Sequence, residues 1–278
     1  MHAGIALLSG EADFSSAETF LGENLAQRAL PADFLQATCR NGGLVLAARR
    51  DGALAGLLVS LLGTDEADPD RVASARLKMW THLLHVAPGF RNQGIGTDLK
   101  AAERSLAMRN GIRLITWTLD AADSRQAYLS IRKLAAFVGS LGEAEGEPEG
   151  LKVEWWLTSP RVRTRIDGKR QPPDLADYLA AGTQKINPSS LDDRDLPQPC
   201  QDPRIPEGSL ALVELPPDIH LLETKDPALA AAWRQHLHHL LQDAFRRGYL
   251  ATDFLHLKGE RFPRSYYLLS QGQAALGE

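Results

Sequence analysis

The stretch that decides the fold is VAPGFRNQGIGT, residues 86–97. An apolar run over Leu77–Val86 precedes this turn and predicts a strand. A helix is predicted over residues 94–109, because its apolar residues recur every three or four positions and so share one face. A glycine-rich turn between a strand and a helix exposes N–H groups that have no partner within the helix. The stretch therefore predicts an anion-binding site suited to a pyrophosphate.

Three classes of phosphate-binding protein share this arrangement, and the residues around the glycines separate them. A P-loop requires Lys followed by Ser or Thr after its last Gly, but Gly96 is followed by Thr97 and Asp98. A dinucleotide-binding fingerprint requires a third Gly where Leu99 stands. The pattern Val-x-Pro-x-x-Arg-x-x-Gly-x-Gly is met in full, at Val86, Pro88, Arg91, Gly94 and Gly96.

This pattern resembles the acetyl-CoA pyrophosphate loop of the GNAT superfamily of N-acetyltransferases. Two later segments, ITWTLDAADSRQAYLSIRKLAA and VEWWLTSPRV, are similar to a little-characterised bacterial branch of predicted GNAT acetyltransferases. The superfamily resemblance covers about residues 1–157. It implies a mixed central sheet flanked by helices, an α/β (α+β) fold, and acetyl-CoA or another acyl-CoA as co-substrate, with no metal.

The resemblance also implies how the cofactor is held. The pyrophosphate would lie on the loop, formed by Arg91, Asn92, Gln93, Gly94, Ile95, Gly96 and Thr97. Leu84 and Val86 would align the pantetheine arm in a strand-like pairing, and Ser124 would contact the cofactor from the start of the next helix. Ile131 departs from the family, because many members carry at this place a Tyr that protonates the departing thiolate.

Direct acyl transfer to an amine needs a base, and the strand before the loop carries two histidines. His82 alternates with Leu84 and Val86, which predicts that it shares their face, whereas His85 points the other way. His82 is our candidate base and Glu154, beside Trp155 and Trp156, is the alternative. A hydrogen-bonded structural histidine is the competing interpretation of both histidines.

Three regions are predicted: an acyl-CoA-binding domain (1–159), a Pro-rich connection (160–208) and a strand-helix-strand-strand extension (209–278). The extension either forms a small domain or pairs with the first sheet. The basic residues from Arg161 to Arg170 indicate a solvated linker or a contact to the CoA 3′-phosphate or an acidic acceptor.

Six further expectations concern local structure. Asp51-Gly52 predicts a hairpin turn, and Ser15 or Ser16 is expected to start a helix that runs to Ala29. Ser124 is expected to cap a helix that reaches Val138. Residues 139–150 are expected to form a flexible acidic loop. Asp226-Pro227 is expected to open a helix, and Leu210–Leu215 to form a strand.

Composition narrows the class of protein. A net charge of −4 gives no support for nucleic-acid binding, and no run approaches the roughly 18 apolar residues of a membrane helix. Two distant cysteines and the lack of a signal peptide predict a soluble cytoplasmic protein. We expect no nucleic-acid or membrane partner, and a homodimer stays open.

The sequence therefore predicts an acyl-CoA-dependent N-acyltransferase acting on a small amine or amino-acid-like acceptor. The alternative is a catalytically degenerate acyl-CoA-binding module with an interaction surface in its C-terminal extension.

Overall fold

A computed structural model of the chain describes residues 4–25, 29–65, 70–142, 150–166, 168, 173–257 and 263–272. The chain forms two compact units, Met1–Trp117 and Thr118–Glu278. This division falls before the predicted boundary at residue 159. The physical reason is that strands on both sides of residue 159 pair with each other inside the second unit.

The first unit is built on a mixed sheet. Its elements are β1 (Ile5–Leu7), α1 (Glu11–Leu25), α2 (Ala32–Arg40), β2 (Leu44–Arg50), β3 (Ala53–Thr64), β4 (Leu77–Val86), α3 (Ile95–Arg109) and β5 (Leu114–Leu119), whose last two residues belong to the second unit. The strands β1 to β4 pair antiparallel in chain order, and β5 pairs parallel to β4. The predicted mixed sheet with flanking helices is confirmed.

The hairpin between β2 and β3 turns at Asp51-Gly52, as predicted. Both residues have positive φ, 50° at Asp51 and 82° at Gly52. A two-residue turn with positive φ at both positions matches the right-handed twist of the strands that it joins. Arg50 and Ala53 are therefore direct partners in the ladder.

The two faces of this sheet bury different helices, because successive side chains of a strand point to opposite sides. Val45, Ala47, Leu57 and Val59 pack with residues of α1 and α2, whereas Leu46, Ala48 and Leu58 pack with α3. A Cβ at Gly56 would lie 3.1 Å from Ile95 Cγ2 and 3.3 Å from Leu99 Cδ1. Glycine at this position therefore lets the start of α3 approach the sheet closely.

Helix α1 begins at Glu11, so the predicted start at Ser15 or Ser16 is wrong. The Ser15 hydroxyl donates to the Glu11 carbonyl at 3.1 Å, and Thr19 repeats the pattern one turn later. Serine can form this bond within a helix as well as cap one, so its presence did not mark the boundary. The described part of α1 ends at Leu25, and residues 26–28 lie outside the described residues.

In its described residues, the second unit contains five helices and a ladder of six strands. Its elements are α4 (Ser124–Ala127) with a π-helical turn (Tyr128–Lys133), β6 (Phe137–Leu141), β7 (Leu151–Trp156), α5 (Pro160–Ile166), α6 (Leu175–Ala180), β8 (Gln184–Lys185), β9 (Ser190–Leu191), β10 (Pro197–Gln198), β11 (Leu210–Leu215), α7 (Ile219–Lys225), α8 (Pro227–Arg246), β12 (Tyr249–Leu257) and β13 (Arg264–Gln271). The ladder has the order β7-β6-β12-β13-β11-β8, and β9 and β10 form a separate pair.

The helix after β5 is shorter than predicted and has a different cap. Asp123, not Ser124, is its N-cap, and one carboxylate oxygen accepts from the N–H groups of Arg125 and Gln126. The π-helical turn ends before Ala135, whose φ of 57° stops the helix. Val138 lies in β6, opposite Val153 and Ala251, so the predicted helix to Val138 is wrong. A buried apolar residue such as Val138 fits the periodicity of a helix and that of a strand, so periodicity alone did not distinguish the two elements.

The predicted loop over residues 139–150 starts too early, because β6 extends to Leu141. Residues 143–149 lie outside the described residues.

The C-terminal extension shares a sheet with the strands that precede it. β12 pairs with β6 and with β13, and β13 pairs with β11. The predicted helix at Asp226-Pro227 is confirmed, with Asp226 as N-cap and Pro227 at the first helical position. Helix α7 was not predicted. None of the helices in the described part of the chain has the length and apolar character needed to cross a membrane.

Candidate functional site

The loop between β4 and α3 has a backbone that only a few residue types adopt. Pro88–Phe90 forms one 3₁₀ turn, Asn92 has φ of 62°, and Gly94 has φ of 84°. Gly94 is the N-cap of α3 and makes no side-chain cap. A Cβ on Gly94 would meet no atom within 4 Å, so its conformation, rather than lack of space, favours glycine.

Successive N–H groups of this loop point to no protein acceptor. The amides of residues 92–97 donate to no group among the described residues, and the first helical bond joins the Asp98 N–H to the Gly94 carbonyl at 3.0 Å. Residues 91–94 are exposed. These amides, at the positive end of a fifteen-residue helix, form an anion site open to solvent.

Two arginines lie at this helix start. The Nε of Arg91 donates to the Val86 carbonyl at 3.2 Å, which holds its guanidinium beside the loop. Arg50, at the end of β2, lies 3.8 Å from the Asp98 carboxylate in the first turn of α3. Sequence reasoning missed Arg50, because nothing in the chain order places the end of β2 beside the loop.

One edge of β4 is open where the loop begins. β4 pairs with β3 along its whole length, but its pairing with β5 is limited to Met79↔Ile115 and Trp80↔Thr116. From Thr81 to Val86, this edge has no strand partner in the described part of the first unit. The side chains of Leu84 and Val86 pack toward α3, and their backbone groups lie on the open edge.

A β-bulge at His82 changes the expected orientation of both histidines. Val59 pairs with Leu83 and Ser60 pairs with Thr81, so His82 is an extra residue in β4. The His82 ring lies 6.3 Å from the Phe34 ring of α2, and the His85 ring lies 5.9 Å from the Phe20 ring of α1. The prediction that His82 shares a face with Leu84 and Val86, opposite His85, is wrong. The inserted residue resets the alternation, and both histidines point toward α1 and α2.

Both imidazoles favour the neutral form. Nearby protein atoms disfavour the charged ring and lower the pKa of His82, although its residue keeps contact with solvent. Burial, and then the charge of Arg91, lower the pKa of His85. The Nε2 atom of His85 is buried and has no hydrogen-bond partner among the described residues. His82, beside the exposed Trp80 at 5.1 Å between ring centroids, is the more accessible of the two.

A buried ion pair lies on the other face of β4, beneath the bulge. Lys100 is 1% exposed and Glu103 is 0% exposed, and their charged groups are 2.8 Å apart. Glu103 Oε1 accepts from the hydroxyls of Ser60 at 2.6 Å and Thr81 at 2.7 Å. Lys100 also donates to Thr81 Oγ1 at 2.8 Å and lies 3.6 Å from the centre of the Trp117 ring. This network connects α3 to the paired residues Ser60 and Thr81, which lie on one side of the bulge.

The ion pair was not predicted from the sequence. Lys100 and Glu103 lie next to the apolar residues of α3 in sequence, where a charged side chain usually faces water.

The remaining sequence candidates lie in the second unit. Glu154 is half-buried, and its Oε2 accepts from Trp156 Nε1 at 3.1 Å. Ser124 is buried, and its hydroxyl donates to the Pro217 carbonyl at 2.5 Å. Ile131 is fully buried in the π-helical turn. The side chain of Ser124 is therefore engaged within the protein.

Comparison with known proteins finds one family whose sequence model includes the loop. The sequence model of the Acetyltransferase (GNAT) family matches residues 13–130. No curated protein matches the chain.

Several solved structures are similar in part. One is yncA from Salmonella typhimurium with its cofactor acetyl-CoA (16% identity, 62% of this chain and 97% of that chain, TM-score 0.43). Others are an N-acetyltransferase from Staphylococcus aureus Mu50 (14%, 56% and 100%, 0.42) and the GNAT family N-acetyltransferase YhbS from Escherichia coli in complex with CoA (14%, 59% and 84%, 0.41).

These three structures share 14–16% identity with this chain, and the family match is one of sequence. That match contains the strand, the glycine-rich loop and the helix that follows it. Residues 13–130 of this chain are therefore similar to the acetyltransferase (GNAT) family.

Proposed function

We propose that the chain is an acyl-CoA-dependent N-acyltransferase, with acetyl-CoA as the donor, acting on a small amine or amino-acid-like acceptor. The observation that carries this proposal is the combination of two features of β4. Its loop presents unpartnered N–H groups to an anion, and the strand edge next to that loop is open.

The donor fits these features in order along its length. The pyrophosphate binds the amides of Asn92, Gln93, Gly94, Ile95, Gly96 and Thr97, with Arg91 beside them. The pantetheine arm carries amide groups, and it pairs with the open edge of β4 at Leu84 and Val86 as an added strand would.

The base we propose is His82. Its lowered pKa keeps the imidazole neutral at neutral pH, so it can accept the proton of the attacking amine. The bulge exposes His82 where β4 leaves β5, next to the open edge. Glu154 is the alternative base.

The acceptor class is supported by the aromatic side chains around His82. Trp80 is 41% exposed and Phe34 is 37% exposed, although both are large and apolar. The face of an exposed indole attracts an ammonium group, and its apolar surface suits an organic amine.

The chemistry is a direct transfer. The neutral amine attacks the thioester carbonyl and gives its proton to His82, and the C–S bond breaks to release CoA as a thiolate. That thiolate takes a proton from a group other than residue 131, because the Ile131 side chain has none to donate. The reaction needs no metal.

The rival function is an acyl-CoA-binding module without catalysis, and Ile131 is the observation that favours it. Incubating the protein with acetyl-CoA and a panel of small amines, while following free thiol, separates the two. Thiol release that depends on an amine and falls in His82→Gln supports the enzyme. Tight CoA binding with no thiol release for any amine would support the rival.

A second variant tests both functions together. Gly94→Asp places a carboxylate at the anion site and forces a residue with a side chain into positive φ, so CoA binding should be lost. Gly89→Asp is the matched control, because Gly89 lies in the same loop without positive φ and a Cβ there meets no atom within 4 Å. Unchanged CoA binding in Gly94→Asp would overturn both functions.

A further inference from the structure

The second unit has a cavity of about 150 Å³ between the β9–β10 pair, the end of β11, helix α7 and the start of β13. Three of its lining residues are buried leucines, Leu196, Leu215 and Leu222. Two more lining leucines, Leu191 and Leu221, are exposed, so the cavity opens to solvent. The described residues that line it take no part in the function proposed above.

Three prolines in the lining make the cavity rigid. They are Pro197 in β10, Pro217 before α7 and Pro263 before β13. The proline ring fixes φ, and the Pro197 carbonyl also accepts from Trp233 Nε1 at 2.7 Å. A site whose walls are already in place spends little free energy on ordering when a ligand enters.

The polar groups that reach the cavity are engaged within the protein. Glu214 is buried, and its Oε1 accepts from Ser189 Oγ at 2.7 Å and from Arg264 Nη1 at 2.6 Å. Its Oε2 accepts from the Ser189 N–H at 3.0 Å. Asp218 accepts from the Leu221 N–H at 3.1 Å as the N-cap of α7. A polar ligand would lose its hydration and meet groups that already have partners, whereas an apolar ligand carries no such cost.

The volume of the cavity sets the size of the ligand. A cavity of about 150 Å³ that is lined by apolar side chains is large enough to hold benzene. Each apolar side chain that faces an empty space also forgoes dispersion contacts, which a ligand of the right shape restores. The cavity therefore matches a molecule with a single ring.

The charged residues of the lining favour a ring that is aromatic and uncharged. Arg264 and Lys225 bring cations to the cavity, and the face of an aromatic ring attracts a guanidinium or ammonium group, which a saturated ring does not. Asp195 and Lys225 are both exposed and bring opposite charges, so neither an anion nor a cation is attracted by both.

We propose that this cavity binds a small uncharged molecule with one aromatic ring. The second unit then carries a ligand site of its own, and the proposal does not depend on acyl transfer.

Phenol is the probe, and NMR of the full chain with labelled leucine methyl groups measures its binding at the cavity itself. A bound aromatic ring shifts the resonances of the methyl groups that it contacts. We expect saturable shifts for Leu196, Leu215 and Leu222, with a Kd of about 1 mM or tighter. Cyclohexanol has a similar size but no aromatic face, and it should displace phenol only at a several-fold higher concentration.

Two variants place a carboxylate in the cavity from different elements, Leu221→Asp on α7 and Leu191→Asp on β9. Both positions are exposed, so the fold should tolerate the change, and each variant serves if the other fails to fold. Leu179→Asp is the matched control, because Leu179 is exposed on α6 and does not line the cavity. We expect phenol to bind Leu179→Asp as it binds the wild type, and to bind the two cavity variants at least about tenfold more weakly.

The proposal fails if the wild type shows no saturable shift of the cavity leucines, or if the two cavity variants bind phenol as tightly as the control does. Tighter binding of benzoate, benzylamine or phenylalanine than of phenol would overturn the uncharged class of ligand. Equal displacement by cyclohexanol would overturn the aromatic class.

Discussion

Replacing Glu103 by Gln removes the counter-charge of Lys100 while it keeps the size of the side chain. The Gln carbonyl oxygen still accepts from the Ser60 and Thr81 hydroxyls, which donate to Glu103 Oε1 in the wild type. The loss is therefore confined to the ion pair, which is 2.8 Å long and buried on both sides.

The loss of unfolding free energy in Glu103→Gln depends on whether the buried ammonium of Lys100 keeps its proton. Removing one partner of a buried pair costs about 3–5 kcal/mol, because the other charge is left without compensation. Lys100 can also lose its proton, and this limits the cost. Deprotonating a lysine whose ordinary pKa is about 10.4 costs about 4.6 kcal/mol at pH 7, and this falls by about 1.4 kcal/mol for each pH unit. We expect Glu103→Gln to lose about 3–5 kcal/mol of unfolding free energy near pH 7.

The destabilisation caused by Glu103→Gln should change with pH in a defined direction. Burial lowers the pKa of Lys100, and Glu103 opposes that shift, so removing Glu103 lowers the pKa further. Between the folded and unfolded values, the unfolded chain binds more protons, and stability rises with pH. The destabilisation should therefore shrink to about 1 kcal/mol near pH 9.5 and grow as the pH falls.

Urea denaturation at both pH values measures the difference between the variant and the wild type. Glu18→Gln, an exposed site on α1, is the matched control and should change little. Lys100→Met combined with Glu103→Gln should recover most of the loss, because no charge is left buried. A loss below about 1 kcal/mol at pH 7, or an equal loss at both pH values, would refute the reasoning.

The remaining predictions concern packing, capping and catalysis. Gly56→Ala should lower the unfolding free energy by about 1–3 kcal/mol in urea denaturation, because its Cβ would crowd α3, and an unchanged value would contradict that close contact. Asp123→Ala should cost about 1–2 kcal/mol through loss of the N-cap, while Asp193→Ala, an exposed control, should be neutral by the same measurement. His82→Gln should lower kcat about 10²- to 10⁴-fold. The pKa of His82 is lowered, so the wild-type rate should fall only at pH values below the ordinary histidine pKa of about 6.5. A pH–rate profile that shows no such fall would exclude His82 as the base.

The sequence alone predicted the bounds of those elements for which a local sequence signal agrees with the burial of the residues. Strands β4 and β11 have their predicted bounds, because each is an apolar run ended by a turn or a change of composition. Helix α3 starts at Ile95 after the glycine that caps it, and the glycine-rich turn lies between a strand and a helix, as the pattern around Arg91 and Gly96 predicts. These features depend on residues that are close together along the chain.

The errors come from contacts between distant residues. No glycine or proline marks the bulge at His82 in the sequence. The bulge lies beside Ser60 and Thr81, whose hydroxyls both donate to Glu103, a residue of α3. At the helix after β5, Asp123 and Ser124 are both good N-caps, and the buried bond of Ser124 to Pro217 decides between them. The arginines of α5 resembled a linker because Asp253, which lies 3.9 Å from Arg165 in the fold, follows it by 88 residues in the chain.

The unpaired stretch of β4 has a consequence for how the protein behaves in a cell. An open strand edge is a template for joining another chain, so this edge of the first unit is a candidate site of aggregation when no ligand pairs with it. If CoA supplies the missing strand, each bound molecule blocks that site and also favours the folded state by mass action. The solubility and lifetime of the protein would then follow the acyl-CoA supply, and cells depleted of CoA would lose the protein as well as its substrate.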